Sequence, residues 1–90
     1  MLKNLAIHVT GRVQHVGFRY FAVQEAGKFG VTGFVRNEPD GSVYIEAQAE
    51  EDALYAYVLA LRKGPAWARV DRVQINPLPV GTCTGFKVRY

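Results

Sequence analysis

The sequence predicts an α+β domain in which two helices pack on one face of a small sheet. Strand-type alternation and helix-type periodicity follow one another in the order β-α-β-β-α-β, with a short strand-like segment at the end. Each strand-like segment has a single apolar face, so both helices must cover the same side of the sheet. Ninety residues leave room for one hydrophobic core, and residues 1–90 are read as a single domain.

From Leu5 to Thr10 the pattern alternates, with Leu5, Ile7 and Val9 on one side and Ala6, His8 and Thr10 on the other, a half-buried strand. A glycine-bounded loop, Gly11 to Gly17, follows. Phe18, Phe21, Ala22, Ala26 and Phe29 then recur at helical spacing, with Lys28 in the last turn and Gly30 as the stop. Val31 to Asn37 reads as a second strand with Val31 and Val35 inward. Glu38-Pro39-Asp40-Gly41 has the composition of a tight turn. Val43, Ile45, Ala47 and Ala49 alternate along a third strand that completes a hairpin.

Glu50, Glu51 and Asp52 set carboxylates against the positive end of a second helix, whose core stripe is Leu54, Val58 and Leu61. Of its two tyrosines, Tyr55 and Tyr57, at least one is expected to be exposed. Arg62-Lys63-Gly64-Pro65 closes it. Val73 and Ile75 mark a fourth strand. A loop from Pro77 to Gly85 precedes a final short strand marked by Phe86, Val88 and Tyr90.

This order is the split-βαβ, ferredoxin-like arrangement, predicted as an antiparallel sheet of four to five strands with two helices on one face. In it strands one and two run parallel with strand three between them. Their carboxyl ends share one end of the sheet, roughly 10 Å apart. The Gly11–Arg19 segment leaves the first of these ends and Asn37 stands at the second, so distant positions converge where such folds bind ligands.

A net charge of +3 is mild. It attracts a phosphorylated small molecule but falls short of a dedicated nucleic-acid patch. Cys83 is the only cysteine, which excludes an internal disulfide and fits a reducing compartment. Its neighbours are not basic, so an idle thiol is expected. The amino terminus carries neither a signal-peptide pattern nor a membrane-spanning run. A cytoplasmic protein without membrane association is the expectation.

The most informative stretch is Gly11-Arg12-Val13-Gln14-His15-Val16-Gly17-Phe18-Arg19. Glycines let successive N–H groups turn inward as an anion-binding nest, and the loop feeds the N-terminus of a helix, which favours a dianion. Arg19, on the first turn, offers a planar fork that matches phosphate oxygens. Such loops are common, and an exposed helix-start role for Arg19 fits the same residues.

GRVQHVGFR closely resembles the signature of the acylphosphatase family: glycine, any residue, Val-Gln-Gly-Val, any residue, an aromatic and arginine. Gly33-Phe34-Val35-Arg36-Asn37 is similar to the family's second motif, and Pro39 to Val43 and Gly64-Pro65 also match its bacterial members. By this resemblance Arg19 is the phosphate-binding arginine and Asn37 the water-positioning asparagine. The backbone N–H groups of Gln14, His15, Val16, Gly17 and Phe18 form the phosphate cradle. The implied substrate is a small acyl phosphate, handled by a monomer with no metal or organic cofactor. His15 departs from the pattern, standing where the family carries glycine. If that glycine has positive φ, His15 is strained, and its imidazole brings a charge that changes near neutral pH beside the phosphate.

The residue set suits this chemistry. A carboxylate leaves an acyl phosphate without protonation, so no general acid is needed. In-line attack by water requires orientation of the water and stabilisation of the phosphoryl oxygens. Two other readings are available. RNA-recognition domains share the βαββαβ order but stack bases on aromatics of their first and third strands, where this chain offers only Tyr44 beside Ala6, His8 and Thr10. A non-catalytic acylphosphatase-like domain is the other, and such domains occur within larger carbamoyl-transfer maturation proteins. The chain ending at Tyr90 favours a free-standing enzyme. His8 and His15 make a poor metal-ligand set, and His8 is expected to be an ordinary surface residue.

Overall fold

The computed structural model describes residues 1–90 and contains seven elements. They are β1 (Leu2–Arg12), α1 (Phe18–Phe29), β2 (Thr32–Asn37), β3 (Val43–Glu50), α2 (Glu51–Lys63), β4 (Arg69–Leu78) and β5 (Phe86–Arg89). The sheet order is β4-β1-β3-β2-β5. Three of its four strand pairs are antiparallel. The exception is β2–β5, whose parallel pairing makes the sheet mixed rather than wholly antiparallel. β4 runs antiparallel to β2 and its end, Leu78, lies level with Thr32 at the start of β2, so the chain enters β5 at that end and runs parallel to β2.

The helices cover one face, α1 over β2 and β5 and α2 over β1, β3 and β4. Between the layers lie Ile7, Val9, Val35, Val43, Ile45 and Ala47 from the sheet and Phe18, Ala22, Leu54 and Leu61 from the helices, all buried. Val31, just before β2, is buried as well. Tyr57 is fully buried and Tyr55 exposed, as the spacing requires. The Tyr57 hydroxyl donates to Ala22 O at 3.0 Å, tying α2 to α1, and burial pushes its pKa up. Gly30 closes α1 in the left-handed region, its N–H returning to Ala26 O.

The fourth strand runs further than its alternation indicates. Pro77, assigned from sequence to the following loop, lies inside β4 opposite Leu5. β4 is an edge strand, and an edge tolerates a residue with no N–H to donate. The open face also holds more than Tyr44. Phe34 of β2 packs beside it with ring centroids 6.0 Å apart, and the Arg89 guanidinium lies 3.9 Å from the Phe34 centroid. Phe34 is only 9% exposed, so arginine covers the ring that a base would need. Cys83 is exposed, and no helix is long and apolar enough to cross a membrane.

Candidate active site

Two buried side chains anchor the loop between β1 and α1. Val13 and Phe18 are each 1% exposed and sink into the core at its two ends. Between them the backbone must turn sharply. Gly17 takes φ 78° and His15 φ 62°, and His15 is the one non-glycine residue with positive φ. Upstream, Gly11 sits at a bulge in the β1–β4 pairing, where a β-carbon would run into Arg69 O. Glycine is needed there for strand packing, at the mouth of the loop.

α1 then begins without protection. Its N-cap is Gly17, no side chain caps it, and no acidic residue occupies its first turn. Phe21 N–H donates to Gly17 O at 3.0 Å, while helix geometry leaves the N–H groups of Phe18, Arg19 and Tyr20 without an intrahelical acceptor. Arg19 belongs to none of the protein's ion pairs. Its guanidinium carbon lies 5.0 Å from the centroid of the Tyr90 ring, which supports the fork on one face and leaves its charge free.

Asn37 ends β2 opposite Val43. Its Oδ1 is buried with no hydrogen-bond partner, an acceptor taken out of bulk water and left unused by the protein. A cavity of about 350 Å³ joins these groups, lined by His15, Gly17, Phe18, Arg19 and Asn37, with Val88 and Tyr90 on its wall. The parallel ends of β1 and β2 therefore meet at one place. Of the five residues read as the cradle, His15, Gly17 and Phe18 line the cavity. Gln14 and Val16 do not: Val16 packs against the core, and the Gln14 side chain turns away toward the β2–β3 turn.

That turn contains the residues that sequence reasoning missed. Asp40 Oδ1 accepts from Ser42 Oγ at 2.5 Å and from Ser42 N at 2.9 Å, and these bonds hold its carboxyl below its usual range. His8 is not an idle surface residue: its Nε2 lies 2.6 Å from Ser42 Oγ. Since that hydroxyl gives its proton to Asp40, the imidazole is the donor. The spacing Asp40-Gly41-Ser42 announces the first of these contacts as an Asx turn. The second needs the strand register.

A second cavity of about 360 Å³ lies between α2 and the β1–β4 edge, lined largely by Leu5, Leu54, Tyr55, Leu59 and Ile75, and holds none of the site residues. No cluster of three or more His, Cys, Asp or Glu side chains stands close enough to hold a metal ion.

An uncapped helix start, an arginine outside every ion pair and a buried amide acceptor thus share one cavity at one end of the sheet. The acylphosphatase family model matches residues 5–88, and the chain belongs to that family. It is 49% identical to an acylphosphatase of Bifidobacterium longum, over 92% of this chain and 88% of the other. The crystal structure of acylphosphatase from Bacillus subtilis superposes with a TM-score of 0.95 at 37% identity, covering 100% of both chains. Full-length HypF, in a phosphate- and nucleotide-bound form, gives 0.89 at 27% identity, covering 100% of this chain and 12% of HypF.

Proposed function

We propose that this acylphosphatase hydrolyses the carboxyl–phosphate bond of small acyl phosphates in the cavity between the β1–α1 loop and Asn37. The observation that carries the reading is the meeting of Arg19 and the unsatisfied Asn37 Oδ1 in one cavity. Arg19 grips two phosphoryl oxygens with its fork, and the free N–H groups of the loop and of α1's first turn take the remaining charge. As the phosphorus–oxygen bond to the acyl group breaks, these donors hold charge on the equatorial oxygens without rearrangement. The carboxylate departs unprotonated, so the site needs no acid.

Asn37 orients the nucleophile. Its Oδ1 accepts a hydrogen bond from water, and its amide N–H groups donate toward the phosphoryl group, aligning the attack in line with the leaving carboxylate. An amide is too weak a base to remove the proton fully, so it passes to phosphate or solvent as the bond forms. The reaction needs no metal or cofactor, the protein acts as a monomeric single domain, and its place is the cytoplasm.

The test is steady-state hydrolysis of benzoyl phosphate beside acetyl and carbamoyl phosphate, with and without EDTA. Turnover of acyl phosphates that EDTA does not affect is the expected result. Loss of turnover on chelation, restored by one divalent ion, would overturn the mechanism. RNA binding at physiological salt with no acyl phosphate turnover would favour the βαββαβ binding module instead.

A further inference from the structure

The two halves of the site come from elements far apart in the chain, and one side chain joins them. Gln14 Nε2 donates to Glu38 O and to Ser42 O, each at 2.8 Å. Glu38 follows Asn37 directly, and Ser42 precedes Val43, the residue paired with Asn37 across the hairpin. The amide therefore grips the turn on both sides of Asn37. No other hydrogen bond joins residues 13–17 to residues 38–42.

The two carbonyls already have partners within the turn. Gly41 N–H donates to Glu38 O, and Glu38 N–H donates to Ser42 O. Gln14 is thus not needed to close the turn; its bonds set where the closed turn stands relative to the phosphate loop. Only a side chain with two donors on one atom, at this reach, can do both. A glutamate would face two carbonyl oxygens with no proton to give, and asparagine is one methylene short.

We propose that the Gln14 side chain is a positioning residue, holding Asn37 at the distance from the phosphate cradle that in-line attack requires. This rests on the reading of Asn37 as the group that orients water. A misplacement of about 1 Å between reacting groups costs up to about a hundredfold in rate, so the effect belongs in kcat and not in phosphate binding.

The experiment is a double-mutant cycle of Gln14→Met and Asn37→Ala with benzoyl phosphate as substrate, alongside inhibition by inorganic phosphate and melting temperature. Gln14→Met should lower kcat by about tenfold or more while phosphate inhibition shifts less than about twofold. In the Asn37→Ala background the same substitution should change kcat by less than about twofold, because the group it positions is gone. Equal losses of kcat in both backgrounds, an unchanged kcat in Gln14→Met, or a matching loss of phosphate affinity would overturn the proposal. Gln14→Glu, which keeps the shape without the donors, should reproduce the pattern. Failure of both variants to fold would make Gln14 a structural strut and end the proposal. If Asn37→Ala alone keeps wild-type kcat, the parent reading of Asn37 has failed, an outcome visible before the cycle is closed.

Discussion

The two helices lie side by side on one face of the sheet, yet their N-termini are built in opposite ways. α2 starts immediately where β3 stops, and Glu51 and Asp52 fill its first turn with carboxylates. Glu51 N–H donates to Met1 O, and the amino terminus pairs with Glu50 at 2.9 Å. The positive end of that helix is met by the chain itself. Neither helix has a side-chain cap, but α1 is entered through a five-residue connection from β1, starts at a glycine and has no acid in its first turn. The missing acid forgoes stabilisation of about 0.3–1 kcal/mol. β1 and β3 are antiparallel, so the two helix starts stand at opposite ends of the sheet, and only α1's shares an end with Asn37. The proposed phosphate site is thus made partly by withholding the first-turn acids that α2 has.

The largest expected effects come from removing what replaces those missing groups. Arg19→Ala should lower kcat/KM by at least about a hundredfold with an unchanged circular dichroism spectrum. Charge-assisted hydrogen bonds contribute about 1.5–3 kcal/mol each and the fork loses two. Arg19→Lys should fail nearly as badly, since an ammonium cannot reproduce the planar fork. Either variant retaining more than about a tenth of the activity would remove Arg19 from the phosphate. Asn37→Ala should cost about a hundredfold in kcat with phosphate inhibition nearly unchanged, which separates the water side of the cavity from the anion side. Parallel losses would place Asn37 in the binding shell.

These residues were legible from the chain because backbone periodicity and a pair of motifs both locate them. Alternation along Leu5–Thr10 and Val43–Ala49 and the helical spacing of Phe18, Ala22 and Ala26 reproduce the observed elements. The convergence of Arg19 and Asn37 follows from topology alone. What escaped depends on register or on a neighbour's side chain. His8 meets Ser42 only because β1 and β3 pair His8 with Tyr44, one position away from the Val9–Val43 pair. Gln14 was read for its backbone, and nothing local says that its amide reaches across to Glu38 and Ser42. Pro77 looked like a strand breaker because an edge strand cannot be told from a central one in sequence.

The contrast between the helices can be tested by giving α1 what α2 has. Tyr20 is 67% exposed in α1's first turn, so Tyr20→Asp places a carboxylate at the open helix start without disturbing the core. The folded state should gain about 0.3–1 kcal/mol from the helix dipole. Inorganic phosphate should inhibit about two- to fivefold more weakly, because the new charge occupies the same field and repels the dianion. The mirror variant, Asp52→Asn, should lose a similar amount of stability and leave kcat and KM unchanged. If Tyr20→Asp destabilises the protein or leaves phosphate inhibition unaltered, the free helix start is not the anion site.

The smallest effect is expected at His15, where the chain departs from the family glycine. At φ 62° a β-carbon costs about 1–2 kcal/mol, although histidine adopts this region more readily than most residues and should sit at the lower end. Replacement by glycine relieves that strain but gives the unfolded chain more freedom, which costs about 0.4–1 kcal/mol in return. The two terms nearly cancel, and the balance leaves His15→Gly more stable by less than about 1 kcal/mol. The rate should change little for the same reason: both residues hold the backbone at this φ, so the loop keeps its shape and only the imidazole at the cavity edge is lost. Any change in rate must then come from loss of that ring at the cavity edge. Paired melting curves and steady-state rates for the two proteins check both halves of the expectation. A stability gain well above about 1 kcal/mol would mean that the strain at His15 exceeds what left-handed histidine ordinarily carries. A large fall in kcat would mean that the imidazole, and not the backbone beneath it, belongs to the phosphate site.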